Sequence, residues 1–206
     1  MRTPAFGYDE TPVGILRRFF RYNYPRIFDK VARQVRRSPR RQTGQFKTNR
    51  QNRWNLDPGH PDYTAETQIP LIEAKLLALT LCFEGAPAVQ AEVKEAAGRI
   101  LGYQAQSGTY QCPISGRPMS FAAIEAEART PVHGRSSFHV GHVRPKAMGG
   151  ENVADNTYWT SDLGNRIQGD KSWADTVKTI IEIAEYQRRV KHGNISWGEL
   201  VNRYLH

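Results

Sequence analysis

The chain has 206 residues, 39% of them hydrophobic, with four Trp, nine Tyr and eight Phe, enough for one compact core. Its net charge of +9 is lopsided: residues 1–53 hold 14 Lys and Arg against 3 Asp and Glu, and the remainder holds 15 against 17. No apolar run approaches the ~18 residues of a membrane span, and the opening MRTPAFGYDE lacks the apolar stretch of a secretory signal. Two cysteines make neither a disulfide framework nor a Cys-rich zinc site, so a soluble, cytoplasmic protein is expected.

Thr11 and Pro12 read as an N-cap and first-turn pair opening a helix over GILRRFFRY. Pro25 restarts it, and in RIFDKVARQVRR the residues Ile27, Val31 and Val35 recur at steps of four. One face of that helix packs while Arg26, Lys30, Arg33, Arg36 and Arg37 are expected to project outwards. Such a basic region attracts polyanions through phosphate neutralisation and counterion release. A free, solvated tail would not need the interleaved Phe19, Phe20, Tyr22, Tyr24 and Phe28. Residues 38–69 are poor in aliphatics and rich in Arg, Gln, Asn, Gly and Pro, the composition of an extended segment that wraps or orders on a partner.

Pro70 opens a buried helix, LIEAKLLALTLCFEG, ending at Gly85, and Pro87 starts another that closes near Gly102. Residues 109–123 read as a hairpin turning near Ser115 and Gly116, followed by a strand, SFHVGHV. After Gly149 and Gly150 come a short NTYW segment and a short helix, TSDLGNRIQ. A longer helix with Trp173, Val177, Ile180 and Ala184 in register follows. Ser196 caps a last short helix, WGELVNRYL. No internal repeat is visible. Three units follow from this reading: a basic arm over 1–69, a helical scaffold over 70–108, and a last unit with C-terminal helices over 109–206.

The order of chemistry-bearing residues is GHVRP with His142, then the loop GGENVADN with Asn156, then the helix SDLGNRIQGDKS with Asn165. It resembles the HNH nucleases of the ββα-metal class, in their His-Asn-Asn form, over roughly residues 110–173. The resemblance implies a mainly helical α+β protein with a ββα-metal core behind an N-terminal helical and extended basic region. It implies cleavage of duplex DNA, with His142 as general base, Asn156 orienting it and Asn165 as metal ligand. Hydrolysing a phosphodiester needs a base for water and charge stabilisation at the phosphate, and a tautomer-fixed histidine titrates in the right range. Asn oxygen suits a hard ion, so Mg2+ is expected, with Mn2+ able to substitute.

The chain departs from the family pattern twice. Gly141 stands where an acidic or His ligand usually precedes the base, and either His139 or water takes that place. The four positions of the family's zinc knuckles fall on Cys112, Ser115, Ser161 and Gly164, so no structural zinc is expected and Trp159 and Trp173 are the expected braces. Arg17, Arg18, Arg33, Arg36, Arg37, Arg40, Arg41, Lys47, Arg50, Arg53, Arg144, Lys146, Arg166 and Lys171 are the candidate DNA contacts. A site-specific restriction endonuclease, working as a homodimer, fits a small nuclease with a large basic half. A phage or homing nicking enzyme, or a DNA-binding protein that has lost its catalysis, are the alternatives.

Overall fold

A computed structural model describes residues 9–38, 51–132, 135–145 and 148–205 of the chain. The elements in order are helices α1 (Pro12–Asn23), α2 (Pro25–Arg36), α3 (Ile69–Thr80), α4 (Ala91–Leu101) and α5 (Phe121–Arg129), strands β1 (Phe138–His142) and β2 (Thr157–Ser161), and helices α6 (Asp162–Gln168), α7 (Trp173–Tyr186) and α8 (Trp197–Leu205). The described residues thus form a mainly helical α+β fold with one two-stranded sheet. Among the described residues no helix is long and apolar enough to cross a membrane.

Local chemistry sets the helix starts. Thr11 Oγ1 accepts the Gly14 amide at 3.2 Å with Pro12 in the first turn, and Pro25 opens α2 in the same position. Ser161, Ser172 and Ser196 cap α6, α7 and α8, each accepting the amide three residues on.

The core runs from Leu16 to Trp159 as one cluster. α3 is its centre: Ala74, Leu76, Leu77 and Ala78 are fully buried, and α1, α2, α4 and β2 all pack on it. A helix surrounded this way has no polar face to give it amphipathic periodicity, which is why its apolar residues occupy more than one face. Trp159 of β2 is fully buried beneath α3 and donates its indole N–H to Leu76 O at 2.8 Å. That bond pins the sheet to the helical layer.

Several expectations are corrected. The hairpin expected over 109–123 is reduced to a single bridge, Gln111 with Pro118, around a tight turn in which Cys112 N donates to Arg117 O. From Ser120 the chain enters α5 instead, with Phe121, Ile124 and Ala128 buried. Helix α4 starts at Ala91 rather than at Pro87, since Ala86–Gln90 run without regular structure. A π turn, Gln187–Lys191, follows α7 directly. Within 38–69, the described part holds two short 3-10 turns, Arg53–Asn55 and Glu66–Gln68, and an isolated bridge from Asn52 back to Arg37.

The basic residues of α1 and α2 also behave differently from expectation. Lys30 is buried and bound to Glu127 at 2.5 Å, joining α2 to α5. Arg36 and Arg17 both bind the Glu73 carboxylate, which is fully buried in α3. A carboxylate in that position is tolerable only because two guanidiniums neutralise it.

Candidate active site

Strands β1 and β2 pair antiparallel, with Val140 opposite Trp159, Gly141 opposite Tyr158 and His142 opposite Thr157. Side chains alternate across the pleat. One face therefore carries Val140, Trp159, His142 and Thr157, turned towards α2 and α3. The other carries His139, Gly141, Tyr158 and Thr160, on which α6 packs.

His142 ends β1 and is half-buried. Its Nε2 lies 2.8 Å from Asn152 Oδ1. The Asn152 amide is oriented from behind, because its Nδ2 donates to Tyr63 O at 2.6 Å. With the amide nitrogen committed there, the oxygen is the atom that meets the ring. Nε2 then carries the proton, and the lone pair falls on Nδ1.

The loop between the strands is strapped by Asn156. Its Oδ1 accepts the Arg144 amide at 2.8 Å, and its Nδ2 donates to Arg144 O at 2.9 Å and Glu151 O at 2.8 Å. The Gly149-Gly150 pair serves the same loop: Gly149 has φ +77°, and a Cβ on Gly150 would run into the Arg144 carbonyl. Asn152 is therefore a hydrogen-bond partner of the His142 ring, while Asn156 holds the backbone just beyond it.

On the opposite face, Gln168 of α6 accepts from the Tyr158 hydroxyl and donates to His142 O at 2.8 Å and Lys171 O at 3.1 Å. Burial pushes the Tyr158 phenol up to about 12, so it stays a donor. Trp173 packs edge-on against the Tyr158 ring at 4.6 Å. The space beside Gly141 was expected to admit His139 or water. The Tyr158 ring occupies it: a Cβ on Gly141 would lie 2.7 Å from Tyr158 Cζ. His139 points elsewhere, with Nε2 2.8 Å from Ser136 O and 3.6 Å from Asp162 Oδ1, at a second cleft also lined by Glu127, Arg135 and Arg166. Asn165 is exposed on α6. The structure thus brings together His142, Asn152 and the Asn156 strap, and turns His139 to Ser136 and Asp162.

Cys112, Ser115, Ser161 and Gly164 do converge. Ser161 Oγ lies 3.2 Å from Cys112 Sγ and 3.1 Å from Ser115 Oγ, and a Cβ on Gly164 would meet the sulfur at 2.5 Å. Burial pushes the Cys112 thiol up, but hydrogen bonds from Ser115, Ser161 and Thr160 outweigh it and bring it down to about 6. A hydrogen-bonded thiol–hydroxyl cluster joins the 112–117 turn to the start of α6.

The other candidate DNA-binding residues are scattered. Arg18 reaches Glu92 at 3.4 Å, Arg166 pairs with Asp162, and Arg144 Nε donates to Met148 O. Arg33 and Arg37 line a groove on α2 with Arg26, Arg36 and Asp29. Lys171 is exposed, and Arg53 lies against the His142 side of the sheet. Arg40, Arg41, Lys47, Arg50 and Lys146 lie outside the described residues.

Sequence reasoning missed Asn152, Tyr158 and Gln168. GGENVADN offers two asparagines, and nothing in its composition says which reaches the ring. Only the fold, by bringing Tyr63 behind Asn152, decides it.

The fold as a whole is similar to a solved structure described as the crystal structure of a type II restriction endonuclease, at 16% identity and a TM-score of 0.63, over 85% of this chain and 87% of that one. The likeness is one of fold. No family model matches the sequence, and no curated protein is similar to it.

Proposed function

We propose that the protein is an endonuclease of the HNH type that hydrolyses phosphodiester bonds in duplex DNA, acting as a site-specific restriction enzyme. The observation that carries this reading is the presentation of His142: Asn152 sets its ring at 2.8 Å, and Asn156 straps the backbone that follows. His142 takes a proton from water at Nδ1, and the resulting hydroxide attacks phosphorus as the bridging oxygen leaves. Asn152 stabilises the imidazolium by keeping its oxygen on the Nε2 proton. The convergence of Cys112, Ser115, Ser161 and Gly164, and the fold shared with a restriction endonuclease, support the same reading.

The Mg2+ or Mn2+ expected from the resemblance does not fit a protein-borne cage here. Among the described residues no group of three or more His, Cys, Asp or Glu is disposed to hold a metal. Tyr158 fills the place beside Gly141, and His139 is engaged with Ser136. Of the expected ligands, only Asn165 stays exposed.

Partners are duplex DNA and a second copy of the chain. On α7 and the segment after it, Val177, Ile180, Ile181, Ile183, Tyr186 and Val190 are exposed. Charges of both signs rim them, Asp175, Lys178, Glu182, Glu185 and Arg189, an arrangement that suits a copy of itself better than a polyanion. A second reading, a DNA-binding protein without catalysis, is favoured by one observation, the Tyr158 ring over Gly141. Incubating the protein with mixed genomic DNA, with Mg2+ or with EDTA, and sequencing the fragment ends separates the two. Fragments with a common end sequence support the enzyme, and intact DNA under every condition supports the binder.

A further inference from the structure

A small cleft of about 40 Å³ opens beside the His142 ring, between Arg53, Thr64, Gln34 and Asn152. Two polar atoms in this region are buried and have no partner among the described residues: Arg53 Nε and Thr64 Oγ1. The Thr64 residue is only 2% exposed. Arg53 donates one terminal nitrogen to Gln34 O at 3.2 Å, and burial weakens its hold on its proton. A buried donor without a partner costs the full desolvation of the group, so two in one place call for an occupant.

The chemistry of the walls specifies that occupant. A guanidinium N–H and a hydroxyl line the cleft beside the imidazole, two donors for oxygen and one positive charge. A water, whose share of liquid volume is about 30 Å³, fits the space but brings no negative charge to a guanidinium that the Asp62 carboxylate offsets only through space. A nucleobase is too large. Two oxygens of a phosphodiester match both the size and the charge.

We infer that Arg53 and Thr64 form an oxyanion cleft that holds a backbone phosphate of the bound nucleic acid beside the His142 ring. This rests on the nuclease reading for its ligand and adds the residues that position it. The segment carrying Arg53 and Thr64 is the stretch rich in polar residues between α2 and α3. It lies against the strand loop through the bond from Asn152 to Tyr63 O. The cost of the two unpartnered atoms falls on the empty protein and is relieved when phosphate binds.

The test titrates the protein with dimethyl phosphate, with chloride at equal ionic strength as the control. The readout is the ring nitrogen resonances of His142. Wild type should give a saturable shift that chloride does not. Thr64→Val keeps the shape but removes the hydroxyl, so it should weaken binding by roughly tenfold, the worth of a charge-assisted hydrogen bond. The same substitution should leave the unliganded protein equally or more heat-stable. Arg53→Gln should abolish the shift. A wild-type protein without a saturable shift, or a Thr64→Val variant titrating like wild type, overturns the cleft and leaves water as its occupant. Because the readout needs no cleavage, a protein that binds dimethyl phosphate here yet cuts no DNA removes the nuclease reading and keeps the cleft.

Discussion

At the scale of single residues, Gly141 separates what spacing can say from what packing says. Spacing puts it where the HNH nucleases that the motif resembles keep a metal ligand, and suggests that restoring an acid would improve the site. The structure gives the reverse expectation, since the Tyr158 ring lies where the new side chain would go. Gly141→Asp should destabilise the protein by roughly 1–3 kcal/mol, the usual range for forcing atoms into a packed site. A thermal denaturation series measures this, and an unchanged midpoint would mean that Tyr158 swings aside freely. His142 was legible because a histidine ahead of a glycine loop and two spaced asparagines is a specific order. Asn152 and Thr64 were not legible, because their roles depend on a segment about ninety residues upstream of the loop folding over the sheet.

At the scale of elements, the cluster joining the 112–117 turn to α6 behaves as a charge-sensitive clasp. The folded thiol of Cys112 sits at about 6, below its ordinary value of 9.0. A group depressed by folding contributes stability that is fully present above its unfolded value. That contribution is lost as pH falls through the folded one. Stability should therefore decline as the pH drops from about 9 towards 6, and Cys112→Ser should flatten that slope. Denaturation midpoints across this range check it, and parallel profiles for the two proteins would contradict a thiolate. Helices α1, α2, α3 and α7 were legible from proline starts, serine caps and four-residue steps. Helix α5 was not: its first residues, 121–123, fall at the end of the expected hairpin, and most of the Ala and Glu of FAAIEAEAR that favour a helix lie beyond it.

At the scale of the whole molecule, the lopsided charge does not make a detachable arm. Leu16, Phe20, Ile27 and Val31 are fully buried, so α1 and α2 belong to the core, and Arg17 and Arg36 serve Glu73 from within it. Deleting the N-terminal region would remove part of the fold along with its charge. Replacing Arg26, Arg33 and Arg37 of the α2 groove with Gln is the cleaner test. Each phosphate that loses its cation should lower the slope of log affinity against log salt by about 0.9, so the triple variant should flatten it by roughly two to three units. An unchanged slope would place the DNA on another face.

The proposed cleavage turns on His142 as the general base. The decisive measurement is duplex cleavage by His142→Ala beside wild type, with DNA affinity measured on the same preparations. General-base catalysis contributes about 10²–10⁴-fold. The variant should therefore lose cleavage by that factor while its affinity stays within a few-fold of wild type. Cleavage at the wild-type rate by His142→Ala would remove the histidine from the chemistry.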